Sequence, residues 1–270
     1  MSSTTEQNER HPDGQISTEV RGNIFLIGID RPEKYNGFTP KMFSELADAY
    51  AELENNSELW VGVLFAHGKH FTAGLDLPKF ADAMKKGEAI LPTNGIDPFS
   101  LKPPFRTKPV VAAMNGICYT AAIELMLATE IVVSAKSARY SQLEVGRGVM
   151  AAAGATFRMV ERAGWGNAMK VLLTGYEFNA EEALRYNFIQ EIVDDGEELN
   201  RALELAEEIA KQAPLAVQAT LQSSRAYYFD SPKAAVDEFI PVMQALANTE
   251  DAAEGVQSFI EKRPPVYKGK

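Results

Sequence analysis

The 270-residue chain reads as an α/β protein, a coiled stack of ββα units followed by a largely helical region. Three observations lead there. Short apolar runs alternate with glycine-bearing turns and amphipathic helices through the first part of the chain. Two β segments accompany each helix, with no repeat in the sequence itself. After about residue 151 almost every segment has helical spacing. The organisation expected is a disordered tail over 1–15, a ββα core over 16–200 and a helical region over 201–270.

Each element follows from local chemistry. The first fifteen residues are polar and lack the apolar core of a secretory signal, so a disordered tail and no export are expected. QISTEV and NIFLIGID alternate on either side of Arg21-Gly22-Asn23 and predict a β-hairpin. Thr39 and Pro40 form an N-cap and first-turn pair, and Phe43, Leu46, Ala47, Tyr50 and Ala51 recur at helical spacing up to Asn55-Asn56. WVGVLFA (60–66) is a buried strand, and GKHFTAGLDL turns from it into a second helix. The long Pro- and Gly-rich loop over 83–107 is of the kind that forms lids or pocket walls. PVVAAMN (109–115) is a strand, Gly116 opens a turn, and a short helix runs from about 120 to 129. EIVVSA and ARYSQLEV are further short strands. Beyond them four amphipathic segments predict helices, with FIQEIV (188–193) as a strand among them.

Composition removes several function classes. The 27 Lys and Arg against 37 Asp and Glu give a net charge of −10, which disfavours nucleic acid. The single cysteine, Cys118, cannot form an intrachain disulfide and reads as a packed thiol, as fits a reducing cytoplasm. His11, His67 and His70 include no H-E-x-x-H and no Cys/His cluster, so no metal site is expected. No uncharged apolar run reaches the roughly 18 to 20 residues of a bilayer crossing. GRGVMA (146–151) matches G-x-G-x-x-A, but it lies mid-chain and reads as a plain turn rather than a dinucleotide loop. G-x-S-x-G is absent.

One letter stands out. From Pro109 to Thr129 the only acid or base is Glu124, among aliphatic and small residues that read as buried. A carboxyl there needs a partner or a purpose, and pairing with a distant Lys or Arg is the structural alternative. Glu144, in SQLEVGRG, follows at a strand end, where a solvated loop acid is the plain alternative. FTAGLDL and GICYTAAIEL each leave a β segment for a helix, so the N–H groups of Leu75 and Ala121 lack intrahelical partners. Two such donors, if they converge, make a site for a developing oxyanion.

On these residues the chain resembles the enoyl-CoA hydratase/isomerase (crotonase) superfamily. The matching stretches are RPEKYNGF, HGKHFTAGLDLPKF, KPVVAAMNGICYTAAIELMLATEIVVSAKSARYSQLEVGRG, GATFRMVERAGWGNAMKVLLTG and FIEKRPP, in family order over roughly residues 16–265. The resemblance implies a crotonase-like spiral of ββα units with a C-terminal helical trimerisation region, assembled as a homotrimer or a dimer of trimers. It implies that Leu75 and Ala121 supply the oxyanion-binding N–H groups. Glu124 activates water for Cβ, and Glu144 protonates Cα. CoA contacts fall by position on Lys34, Ala73 and Asp76, and on Phe259 and Lys262 as residues that complete a neighbour's pocket. For Lys34 and Lys262 the alternative is a solvated charge, and for Phe259 a place in the core.

The reaction so implied is reversible syn hydration of a trans-2-enoyl-CoA to 3-hydroxyacyl-CoA. No metal or redox cofactor is expected, and coenzyme A enters as part of the substrate. The alternatives are Δ3,Δ2-enoyl-CoA isomerisation and a CoA-thioester-binding subunit without turnover. The chain departs from the family at Thr120, Ala121 and Ala122, where many hydratases have consecutive glycines. Negative φ and a bulkier pocket floor are therefore expected there. Leu143 stands where a proline commonly precedes the second acid, and Arg147 replaces an aliphatic and is expected to face solvent.

Overall fold

The computed structural model describes residues 11–87 and 95–270. Its first hairpin pairs β1 (Gln15–Arg21) antiparallel with β2 (Ile24–Asp30), and Gly22 at φ 59° supplies the left-handed turn between them. The Thr39 hydroxyl accepts from the Met42 N–H at 3.3 Å and Pro40 opens the first turn, so α1 (Pro40–Asn55) starts where its cap residues lie. Its apolar stripe, including Met42, Phe43, Leu46, Tyr50 and Leu53, is buried.

The next elements repeat a two-sheet pattern. β3 (Val61–Ala66) leads to α2 (Leu77–Lys86); β4 (Val110–Met114) and β5 (Ile117–Tyr119) lead to α3 (Ala121–Leu127); β6 (Ile131–Ala135) and β7 (Arg139–Ser141) lead to a 3-10 turn over Glu144–Arg147. Then come α4 (Ala155–Ala163), α5 (Trp165–Thr174), β8 (Phe178–Asn179), α6 (Ala180–Arg185), β9 (Glu191–Val193) and α7 (Glu198–Ala210). Four helices follow: α8 (Pro214–Phe229), α9 (Pro232–Asp237), α10 (Phe239–Ala247) and α11 (Glu250–Glu261). The larger sheet has the order β1-β2-β3-β4-β6-β9, parallel from β2 onward, and the smaller has β5-β7-β8. From β4 onward each turn of the spiral gives one strand to each sheet. After β3, residue Thr72 enters the smaller sheet only as a bridge to Cys118.

The differences from the sequence expectations have local causes. ARYSQLEV stops being a strand at Ser141, because Glu144 to Arg147 wind into the 3-10 turn closed by Gly148 at φ 74°. FIQEIV is a strand only over Glu191–Val193, since the Phe188 N–H bonds the Ala183 carbonyl at 2.9 Å while its ring packs in the core. GRGVMA contributes to this same turn and opens no βαβ unit.

Of the tail expected over 1–15, residues 1–10 lie outside the described residues. Residues 11–15 are tied down: the Thr39 hydroxyl donates to the Asp13 carbonyl at 2.8 Å and the Lys41 ammonium to the Gly14 carbonyl at 2.9 Å. The boundary expected between 200 and 201 falls inside α7, whose buried Ala202 and Ala206 pack on Val61, Val63 and Val111 of the larger sheet.

Buried charge fastens the helical region to the body. The Arg106 side chain is fully buried and grips Glu130 through two nitrogens at 2.7 and 3.0 Å, while Arg225 of α8 reaches the same carboxylate at 3.0 Å. Beyond α8 the apolar residues turn outward: Phe239, Ile240 and Met243 on α10, and Val256, Phe259 and Ile260 on α11, are exposed, Ile240 to 76% and Phe259 to 85%. Among the described residues no helix is long and apolar enough to cross a membrane.

Candidate active site

The Thr72–Cys118 bridge aligns two turns. The Thr72 N–H bonds the Ile117 carbonyl at 3.1 Å, and the Tyr119 N–H bonds the Thr72 carbonyl at 3.0 Å. Carried forward, this parallel register sets Gly74 opposite Thr120, in the turns that lead to Leu75 and Ala121. Contact between the turns bears this out: a Cβ built on Gly74 would lie 1.9 Å from the Thr120 hydroxyl oxygen. Gly74, at φ 99°, can be only glycine on both counts.

Neighbouring amides in these turns are satisfied. Gly74 N–H donates to the Thr72 hydroxyl at 3.0 Å, Asp76 N–H to the Phe38 carbonyl at 2.9 Å, and Thr120 N–H to the Ser141 carbonyl at 2.9 Å. Among the described residues the N–H groups of Leu75 and Ala121 have no acceptor, and both residues line a cavity of about 560 Å³. Unpaired main-chain donors beside a cavity are available to a ligand oxygen.

Glu124 and Glu144 line the same cavity. Glu124 sits on α3, 4% exposed, and its Oε1 accepts from the Ala153 and Ala155 N–H groups at 2.7 and 3.2 Å. No Lys or Arg pairs with it at salt-bridge distance among the described residues; the partner that burial demands is backbone. Burial raises its pKa from 4.5 to about 7, the two amides pull the other way, and the charge of Glu144 adds to the rise. Glu144 begins the 3-10 turn. Its Oε1 accepts from the Gln142 amide at 2.9 Å, while its Oε2 is buried and unpartnered among the described residues. Burial raises its pKa as well, against its own N–H and Gln142.

Two groups that sequence reasoning missed shape this arrangement. Gly154, at φ 114°, bends the chain so that Ala153 and Ala155 both point N–H groups at Glu124. Arg158 on α4 is 6% exposed and donates to the Phe99, Ser100 and Ala153 carbonyls at 2.7, 3.1 and 3.4 Å. It clamps the later part of the 83–107 loop, at Phe99 and Ser100, against the segment that holds Glu124. Asp97, Phe99 and Leu101 of that loop line the cavity, so it is a pocket wall there, and residues 88–94 lie outside the described residues. The only signal for either group was Gly154 itself; nothing distinguishes Arg158 from other basic residues on an amphipathic helix.

Negative φ at position 120 is corrected. Thr120 adopts φ 52°, ψ −109°, a conformation that costs a β-branched residue about 1–3 kcal/mol. Its backbone is pinned by the Ser141 carbonyl ahead and by the N–H groups of Ile123 and Glu124, which bond its own carbonyl at 2.9 and 3.2 Å. Arg147 is exposed, as expected, yet it also lines the cavity.

The expected CoA contacts divide. Ala73 lines the cavity, its N–H held by the Tyr35 carbonyl at 3.0 Å. The Asp76 carboxylate, half-buried, accepts from the buried Arg31 at 2.8 Å, and Asp76 does not line the cavity. Neither does Lys34, exposed at the end of a 3-10 turn over Pro32–Lys34. Phe259 and Lys262 lie at the end of α11, both exposed, so Phe259 is no core residue. The Cys118 thiol is buried, with its pKa raised by burial. Among the described residues no group of His, Cys, Asp and Glu could hold a metal ion.

The family model described as enoyl-CoA hydratase/isomerase matches residues 19–270. Among similar proteins are 2,3-dehydroadipyl-CoA hydratase of Escherichia coli, 29% identical over 92% of this chain and 96% of that one, and (E)-benzylidenesuccinyl-CoA hydratase of Thauera aromatica, 30% identical over 94% and 99%. Among solved structures, a probable enoyl-CoA hydratase/isomerase from Mycobacterium abscessus superposes with a TM-score of 0.92 at 40% identity, covering 94% of this chain and 98% of that one. An enoyl-CoA hydratase from Mycobacterium tuberculosis does so with a TM-score of 0.87 at 32% identity, covering 96% and 100%.

Proposed function

Because the chain belongs to the enoyl-CoA hydratase/isomerase family, whose members act on acyl-CoA thioesters, we propose that it adds water reversibly and syn across the double bond of a trans-2-enoyl-CoA. The observation that carries this reading is the sharing of one cavity by Leu75, Ala121, Glu124 and Glu144. Attack of water at Cβ places enolate charge on the thioester oxygen. The free N–H groups of Leu75 and Ala121 receive that charge, each such donor being worth about a hundredfold or more. Glu124, lifted to about 7, is a base poised near neutral pH for the attacking water. Glu144, also raised, supplies the proton to Cα, and its unpartnered Oε2 is the oxygen free to carry it. The scheme needs no metal or redox cofactor, and coenzyme A enters as part of the substrate.

The same free oxygen favours a second reading, Δ3,Δ2-enoyl-CoA isomerisation, in which Glu144 shuttles one proton between carbons. A CoA-thioester-binding subunit without turnover is the third. Side-by-side assays with crotonyl-CoA and a 3-enoyl-CoA separate them. Hydration of crotonyl-CoA supports the first; conversion of the 3-enoyl thioester alone supports the second; tight acyl-CoA binding without product from a broad thioester panel supports the third.

The exposed apolar residues of α10 and α11 support assembly as a homotrimer or a dimer of trimers, since a patch of that kind marks an interface. In such an assembly Phe259 and Lys262 complete a neighbour's CoA site, while Lys34 and the backbone at Ala73 and Asp76 serve the chain's own. Cytoplasmic residence fits the free Cys118.

A further inference from the structure

The hydroxyl of Thr120 has no place in the scheme above, although it lines the same cavity as the two free amides. Its position follows from the backbone. At φ 52°, ψ −109° the residue is held by hydrogen bonds on both sides, and that conformation directs the side chain across to the facing turn. There the hydroxyl oxygen lies 1.9 Å from where a Cβ of Gly74 would stand, immediately before the Leu75 amide. The glycine at 74 therefore leaves room for this hydroxyl.

The hydroxyl itself is uncommitted. It does not cap α3, and among the described residues it makes no hydrogen bond. A threonine hydroxyl carries one donor and can rotate it toward whichever acceptor is present. Three donors without an acceptor thus belong to residues that line one cavity: the Leu75 N–H, the Ala121 N–H and the Thr120 O–H. The first two have fixed directions and the third is adjustable.

Building on the assignment of an acyl-CoA thioester to this cavity, we propose that the Thr120 hydroxyl is a third hydrogen-bond donor to the thioester oxygen, a catalytic residue of the side-chain kind beside the two main-chain donors. As negative charge grows on that oxygen, a donor already within reach strengthens its bond without reorganisation of solvent. The ligand chemistry it serves is the carbonyl oxygen of a thioester. Occupation of the left-handed region by a β-branched residue then has a functional counterpart, because glycine would relax the backbone but bring no hydroxyl.

The test uses the full-length protein with T120V, T120S and T120G, and two readouts. One is steady-state hydration of crotonyl-CoA. The other is the red shift in ultraviolet absorbance of a bound chromophoric enoyl thioester, cinnamoyl-CoA, which reports carbonyl polarisation without turnover. T120V, isosteric but without the hydroxyl, is expected to lower kcat about tenfold or more with KM changed less than threefold, and to reduce the shift. T120S is expected to retain most of both. T120G, which removes strain along with the hydroxyl, should lose the shift while folding at least as well, so a misfolded T120V does not block the test. Wild-type shift and rate in T120V and T120G overturn the proposal, as does a loss in T120S with wild-type behaviour in T120V, which would assign the effect to the methyl group. A wild-type protein that shifts cinnamoyl-CoA yet hydrates nothing overturns the reaction assignment and leaves the hydroxyl assignment standing.

Discussion

Glu124 and Glu144 face one cavity, and the charge of Glu144 adds to the burial that lifts Glu124 from 4.5 to about 7. The form able to act as base and acid together carries one proton, so kcat/KM for hydration is expected to be bell-shaped in pH. A profile flat from pH 5 to 9 would count against the paired arrangement.

The same shift has a consequence for stability. The native state holds the Glu124 proton more tightly than the unfolded chain does, so stability is fully present below the unfolded value of 4.5. It is lost as pH rises through about 7. Glu124→Gln removes this loss while keeping an oxygen to accept from Ala153 and Ala155. Denaturant unfolding of both proteins at pH 5 and pH 8 should show the variant gaining on the wild type by up to about 3 kcal/mol at the higher pH. A difference independent of pH would show that Glu124 titrates normally.

For catalysis, Glu124→Gln and Glu144→Gln are each expected to lower kcat for crotonyl-CoA by about 10²- to 10⁴-fold, with binding of the thioester preserved. Exchange of the Cα proton with deuterated solvent separates their roles: it should fail in the Glu144 variant and persist more fully in the Glu124 variant. The opposite order would reverse the assignments.

Arg158 is expected to matter through the groups it holds. Arg158→Met strands the Phe99 and Ser100 carbonyls, a loss of about 2–3 kcal/mol measurable by chemical unfolding. It also loosens the segment around Gly154, so a fall in kcat should accompany it. Unchanged stability would mean that solvent reaches those carbonyls.

Much of this was legible in the chain, and for specific reasons. Thr39-Pro40 and Arg21-Gly22-Asn23 carry local signals whose meaning does not depend on tertiary contacts, and the elements start and turn there. Glu124 was visible because a lone acid in an apolar run calls for explanation. Its partners were not, since the Ala153 and Ala155 donors are backbone amides and every residue but proline has one. The left-handed backbone at Thr120 was hidden for a related reason: hydrogen bonds from distant segments impose it against the residue's own preference. Arg147 was only half legible, because an exposed arginine and a cavity-lining one have the same sequence signature.

The outward apolar face of α10 predicts dissociation. If the proposed assembly buries this face, Phe239→Asp combined with Ile240→Asp should convert it to monomers in sedimentation analysis, since two buried charges would be left unpaired. A wild-type monomer would remove the interface from the account.

The most direct test of the central claim is a crystal structure with a bound 3-hydroxyacyl-CoA. The account predicts the thioester oxygen within hydrogen-bonding distance of the Leu75 and Ala121 N–H groups, with Glu124 beside the Cβ hydroxyl and Glu144 beside Cα. A thioester oxygen bound elsewhere, or either carboxyl turned out of the cavity, would contradict it.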